Sequence, residues 1–538
     1  MYWIVIDNHS YNCRILQVRI TPILLSILLA LPILGIFAAL LMPSEQSGGV
    51  LAHLASTVMP AYAGTTLVLA IGVALGVASM GIITAWLVST CDFPGKKIYE
   101  WALILPLAMP TYVMAYAYTD FFQYSGPVQS LLRDLLGVQQ LPWFPEPRSL
   151  WGAICVLSLA LYPYVYLLCR TAFLERSPRM LDAARTLGAG PWQAFWQIAL
   201  PMARPATMAG VALALMEAVA DYGAMVYFGV QTMTTGIYRA WLNMGDRTAA
   251  VQLSAMLLGV ILLLLIMEHA SRKQMRFASG SQRFRQIQPW RLRGRLAFWA
   301  SLSCALPLLF GFVLPVIIMA YLAITSGQAL SERYGIWLSN TLILASITAS
   351  AGVLIAIWLA YSARIARGRL QEWMNRMVSL GYAVPGTVLA VGVLILVGLF
   401  DLSWLLSGSV VILIYAYLTR FLSSGLQTVE AGLSKITPNM DASAKSLGAG
   451  RIELLQRVHL PLLRRSLLTA GLLIFVDVMK ELPATLVLRP FNFDTLAVIT
   501  YQLAADERLA EAAWPALTIV LAGLIPVIIL SRAMSRDR

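Results

Sequence analysis

The sequence is poor in charge, in acid and in histidine, and each shortage excludes something. Charged residues make up only 12% of its 538 positions, too few to solvate the surface of a soluble protein of this length. The four histidines, His9, His53, His269 and His459, stand far apart, with no metal-ligand spacing and no Ser/His/Asp set in one layer. The five cysteines, Cys13, Cys91, Cys155, Cys169 and Cys304, include no CxxC pair, which argues against a zinc site or a disulfide framework. No GxxxxGK[ST] motif occurs, and Gly95-Lys96-Lys97 lacks both the hydroxyl residue and the preceding glycine. This chain therefore carries no recognisable nucleotide chemistry or bond-making site, and is read as a non-enzyme. The net charge of +13 has no basic run interleaved with aromatics, so a nucleic-acid partner is not expected.

What is present is apolar length. Hydrophobic residues reach 59% and mean hydropathy is +0.74. Runs long enough to cross ~30 Å of hydrocarbon fall near 20–42, 61–90, 99–120, 150–170, 206–228, 249–269, 298–325, 336–361, 374–400, 409–426, 466–488 and 511–531. Lipid offers no water to backbone amides, so such runs must be helices. The expected fold is an all-α integral membrane protein with about twelve transmembrane helices. The first run follows Arg14 and Arg19 and is longer than a signal-peptide core, so it is expected to be retained. Of the 39 lysines and arginines, 31 lie on the side shared by both termini and every second loop. The positive-inside rule places both termini in the cytoplasm, with lipid headgroups as further neighbours of the basic 271–297 linker.

The chain repeats itself at an offset of about 260 to 275 residues. "TTLVLA" at Thr65 returns as "NTLILA" at Asn340, and "LPLAMPTYVMAY" at Leu105 as "LGYAVPGTVLAV" at Leu380. "SPRMLDAARTLGAG" at Ser177 returns as "TPNMDASAKSLGAG" at Thr437. Six helices is an even number, so the halves 1–270 and 298–538 run in the same orientation as parallel repeats.

Both repeated LGAG segments lie in long cytoplasmic loops, at 177–201 and 437–461. Each reads as an Ala-rich helix, a glycine turn, and a second short helix that ends at Leu200-Pro201 or Leu460-Pro461, where proline is expected to stop it. A surface hairpin capped by glycine is the plainer alternative, but duplication at equal spacing disfavours it. The pair resembles the Glu-Ala-Ala…Gly coupling motif of ABC importer permeases, whose helix sits in a groove of the ATPase subunit. Asp182, Ala183, Ala184 and Gly188 match that pattern in the first copy. The second has Ala444 and Gly448, but Ala442 stands at the acid position and the nearest acid is Asp441, one residue earlier. The resemblance implies two copies of an ATPase subunit, with ATP and magnesium on those subunits, and no cofactor bound by this chain.

Two further segments, "DYGAMVYFGVQTMTTGIYRAW" from Asp221 and the stretch from Asp477 to Leu517, resemble the fused ferric-iron importer permeases of Gram-negative bacteria. That resemblance spans nearly the whole chain. It implies an inner-membrane subunit that receives Fe(III) from a periplasmic binding protein and works by alternating access. Thiamine and polyamine permeases share the architecture and stay open as alternatives. An ion-gradient-driven secondary transporter is a third.

The acids inside the membrane are the sharpest local signal. Glu217 and Asp221 in the fifth run match Asp477 and Glu481 in the eleventh at an offset of 260, with Lys480 beside the second pair. Such groups cost a few kcal/mol in lipid unless they face water or a partner. Gly223 and Pro483 follow at matched positions, and interrupted helices in corresponding halves point to a transport site. Glu217, Asp221, Tyr222, Asp477 and Glu481 are the expected pathway residues, with Asp221 and Glu481 as transient oxygen ligands for a hard cation. The plainer alternative is internal: Asp477 and Lys480, three residues apart, can neutralise each other.

Overall fold

The computed structural model describes residues 2–41, 59–176, 184–277, 289–325, 331–366, 369–401, 404 and 410–536. Among these, eight helices are long and apolar enough to cross a membrane: Ile20–Ala39, Met59–Thr90, Leu150–Leu174, Pro191–Ala220, Arg247–Ser271, Arg295–Thr325, Tyr334–Ile365 and Leu509–Ile529. Two more spans are broken pairs, Lys96–Ala108 with Thr111–Leu136 and Trp373–Ala383 with Gly386–Leu399, bent by 93° and 115°. The two remaining runs are the helices Val411–Ser434 and Leu460–Met479, which are more polar. All twelve runs are thus helical, in the expected order. Large apolar side chains point outward along them, among them Leu75, Leu354 and Leu468, as lipid-facing surface requires.

The broken pairs break for a stated reason. Pro110 and Pro385 each have extended backbone, with ψ of 138° and 142°, and each follows a short 3-10 turn, Leu105–Ala108 or Leu380–Ala383. A residue before proline avoids the helical region, so Met109 and Val384 are extended as well.

Compactness does not follow the sequence halves. One unit comprises residues 1–43 and 333–496, the other 44–332 and 497–538. Each half therefore lends terminal segments to the unit built mainly from the other. In the first unit Leu29 of the first span packs with Ala356, Leu359, Leu422 and Leu426. Gly392 there lies so close to the Pro32 carbonyl that an added Cβ would stand 2.3 Å from its oxygen. Small residues drive helix association in lipid by allowing such approach. In the second unit Val73, Val77, Leu157 and Ala160 are buried between the second and fourth spans. A two-residue parallel bridge, Cys91–Asp92 with Trp290–Arg291, ties the far end of the basic linker to the loop after the second span.

Candidate functional site

The first helix break is organised by one carboxylate. The fifth span stops at Ala220, Asp221 is extended, and helix resumes at Gly223–Tyr227. Oδ1 of Asp221 accepts the Ala224 N–H at 2.9 Å, which satisfies a donor at the resumed helix start. Its Oδ2 accepts the Thr111 hydroxyl, and Thr111 is the first residue after the break in the third span. One side chain thus ties two interrupted spans together. Glu217 lies one turn earlier, half-buried. Aromatic rings gather around the break: Tyr116 and Tyr227 at 4.5 Å, Tyr222 and Tyr238 at 4.2 Å, Tyr112 and Tyr116 at 5.8 Å.

The matched break in the other half is built differently. The eleventh span stops at Met479 and resumes at Pro483–Leu488. Glu481 is 4% exposed, and both its oxygens are engaged. Oε1 accepts from the Ala484 N–H at 3.0 Å and from Arg420 Nη1 at 2.9 Å; Oε2 accepts from the Thr485 N–H at 3.0 Å and its hydroxyl at 2.6 Å. Gly386, the counterpart of Thr111, makes room for this pair, since a Cβ there would lie 2.6 Å from both Arg420 Nη1 and Glu481 Oε1. Asp477 and Lys480 form an ion pair at 2.9 Å, as their spacing allows. Arg420 was not singled out by the sequence reading, although a lone arginine inside an apolar run calls for a buried partner.

The two LGAG hairpins share a backbone. Gly188 and Gly448 have φ of +82° and +86°. Around each, the glycine N–H bonds the carbonyl three residues back and the next N–H reaches the carbonyl five back: Gly188 to Arg185 and Ala189 to Ala184, Gly448 to Lys445 and Ala449 to Ala444. This is a Schellman ending, which needs a left-handed residue. Leu187 and Leu447, beside the glycines, are 86% and 88% exposed. Asp182 and Ala183 lie outside the described residues.

The prolines do not stop the second helices. A π-turn, Phe195–Ala199 or Leu455–His459, carries each straight into its spanning helix. Pro201 and Pro461 sit at the start of Leu200–Ala220 and Leu460–Met479, and the wider turn absorbs the missing N–H.

Side chains seat the hairpins differently. At the first, Trp86 packs against Phe173, Phe195 and Trp290 at 5.4 to 5.7 Å, and the Arg185 guanidinium lies 3.8 Å from the Trp290 ring centre. At the second, Asp441 takes Arg364 Nη2 at 2.9 Å and His459 Nε2 at 2.8 Å. Arg364 also donates to the Leu433 and Ile436 carbonyls. Partial burial opposes the Asp441 charge, but His459 and Arg364 outweigh it and hold the carboxyl below its ordinary value. Asp441 is therefore committed within its own unit.

Tandem broken spans, each followed by a left-handed glycine hairpin, define a two-half transport permease, and the chain belongs to the family described as binding-protein-dependent transport system inner membrane component, matched over residues 79–276 and 352–537. It is a multi-pass protein of the bacterial inner membrane and a transport subunit. It is 27% identical to an Fe(3+)-transport system permease protein of Haemophilus influenzae, over 87% of this chain and 88% of that one. It is 25% identical to a ferric transport system permease protein of Actinobacillus pleuropneumoniae, over 76% of this chain and 60% of that protein. A molybdenum transport system permease protein of Escherichia coli is 29% identical over 36% of this chain and 84% of its own length.

Proposed function

We propose that this chain is the membrane permease of an ATP-driven importer of ferric iron, which it receives from a periplasmic binding protein. What carries this reading is the similarity to the Haemophilus influenzae Fe(3+)-transport permease, sustained through both halves. The chemistry at the first break supports it. Fe(III) is a hard cation that prefers oxygen, and Asp221 places an anionic oxygen donor where two spans are interrupted. An oxyanion such as molybdate would want cationic or N–H donors at that position.

Two copies of a separate ATPase dock on the two hairpins, with Leu187 and Leu447 as apolar knobs and the termini on the same, cytoplasmic, side. ATP binding draws the ATPases together, and the hairpins carry that motion into the fifth and eleventh spans without a hinge, because each π-turn joins hairpin and span in one continuous helix. The breaks at Asp221 and Glu481 then lie downstream on the same two spans. Asp221 is the pathway group; Glu481, with every oxygen engaged, braces its break.

The test is uptake of radioactive ferric iron into vesicles holding the chain with its ATPase, loaded with binding protein outside and ATP inside. ATP-dependent accumulation of iron, with none of molybdate, thiamine or spermidine, is expected. Uptake driven by an ion gradient without an ATPase would instead establish a secondary transporter, and import of another of these solutes would reassign the cargo.

A further inference from the structure

Six tyrosines gather at the break at Asp221. Tyr112 and Tyr116 come from the second part of the third span, Tyr222 and Tyr227 from the resumed fifth span, Tyr238 from Met233–Tyr238 and Tyr501 from Leu496–Ala505. Tyr222 lies between the rings of Tyr238 and Tyr501, at 4.2 and 6.1 Å, with its hydroxyl in hydrogen-bonding reach of both. Tyr116 sits among Tyr112, Tyr227, Tyr501 and Asp221. It is 1% exposed, and its hydroxyl has no hydrogen-bond partner among the described residues. A buried hydroxyl left unbonded is costly, and native structures keep few without a reason.

The repeat supplies a control. At the matched positions of the second half stand Thr387, Val391, Leu482 and Val487 in place of Tyr112, Tyr116, Tyr222 and Tyr227. No phenol stands at those four positions, so the fold of the break does not require one there; the phenol that stands at the second break, Tyr417, comes from another span and is bonded to Thr485 at 2.7 Å. A conventional cage is also missing, since no group of three or more His, Cys, Asp or Glu able to hold a metal occurs among the described residues.

We propose that this cluster is a transient binding site for the ferric cargo, with Tyr116 and Tyr222 binding Fe(III) as phenolates beside the Asp221 carboxylate. It rests on the ferric reading above and deepens it. A phenolate oxygen is a hard anionic donor suited to a trivalent cation. Each iron–oxygen bond formed breaks one phenol O–H bond, and the proton leaves to water or hydroxide accompanying the ion; reprotonation reverses the step on release. No electron moves, and iron stays ferric throughout. Arg148, 5.1 Å from the Tyr227 ring centre and paired with Glu507 at 3.5 Å, favours anionic oxygen at its edge of the cluster.

The experiment titrates the purified full-length chain in lipid nanodiscs with ferric nitrilotriacetate and follows the visible charge-transfer absorption of ferric phenolate. The wild type and a Tyr124→Phe control, altered at an exposed tyrosine outside the cluster, gain the band. Tyr116→Phe/Tyr222→Phe keeps both rings, loses the band, and in vesicles loses at least about tenfold in iron uptake, while its thermal melt and ATPase stimulation stay unchanged. Normal wild-type uptake with no band, or a band undiminished in the double variant, overturns the phenolate site alone. No iron uptake by the wild type sinks the ferric reading and this inference with it.

Discussion

The two helix breaks share a backbone and differ in what fills them. In the first half the Asp221 carboxylate bridges Thr111 and Ala224, and tyrosines surround it. In the second a carboxylate of matched position is sealed by Arg420, Ala484 and Thr485. A duplicated fold needs its broken helices capped twice, but cargo has to be handled only once. The hairpins teach the same lesson. One is seated by aromatic packing around Trp86, the other by the Arg364–Asp441–His459 ion cluster, while both keep the same glycine turn.

The largest effect is expected where the sealed break is opened. Arg420→Met leaves the Glu481 charge buried without its counter-ion, at a cost of about 3–5 kcal/mol. Thermal melting in detergent should show a large loss of stability, whereas Thr111→Val at the other break should cost only about 1–3 kcal/mol. Equal losses would dissolve the distinction between the two breaks.

Next come the shared turns. Gly188→Val or Gly448→Val forces a β-branched residue to positive φ, at a cost of about 1–2 kcal/mol. Among the described residues nothing lies within 4 Å of an added Cβ at either glycine, so the expected penalty is one of backbone conformation. Membrane insertion should persist while ATPase recruitment and uptake fall. Unchanged recruitment in the double variant would remove the hairpins from coupling.

The smallest effect distinguishes how the hairpins are seated. Because the folded Asp441 carboxyl is held below its ordinary value of 3.8, its contribution is fully present above that value and is lost as pH falls through the depressed one. A spin label on Ser443 should therefore loosen only in acid, and Asp441→Asn should loosen it at neutral pH. A label on the first hairpin, where no matching acid cluster occurs among the described residues, should show no such step. If both respond alike, the ionic and aromatic seats are equivalent.

Twelve helical runs and their repeat were legible because lipid imposes length and apolarity on the segments that cross it. The breaks in the third and ninth spans were also written in the sequence, as Pro110 and Pro385 in matched repeats, yet unbroken apolarity masked them. Pro201 and Pro461 misled in the opposite sense, since a π-turn tolerates what an α-helix would not. Pairing Asp221 with Glu481 by offset placed them at equivalent positions, and both stand at helix breaks, but the offset carries no information on what each one touches. The partners that separate them, Arg420 and Thr111, come from 61 and 110 residues away, and such contacts exist only once the chain has folded.

That cargo is handled at the first break and not the second is tested most directly by neutralising each in turn and measuring ferric-iron uptake with ATPase activity in the same vesicles. Arg420→Met/Glu481→Gln removes both charges of the sealed pair and leaves an amide oxygen to accept the Ala484 N–H. Asp221→Asn removes the charge at the first break at almost constant shape. Uptake is expected to fall at least about tenfold in Asp221→Asn, with ATP hydrolysis retained, and to stay within about threefold of wild type in the double variant. Wild-type uptake by Asp221→Asn together with collapse in the folded double variant would put the cargo at the second break instead.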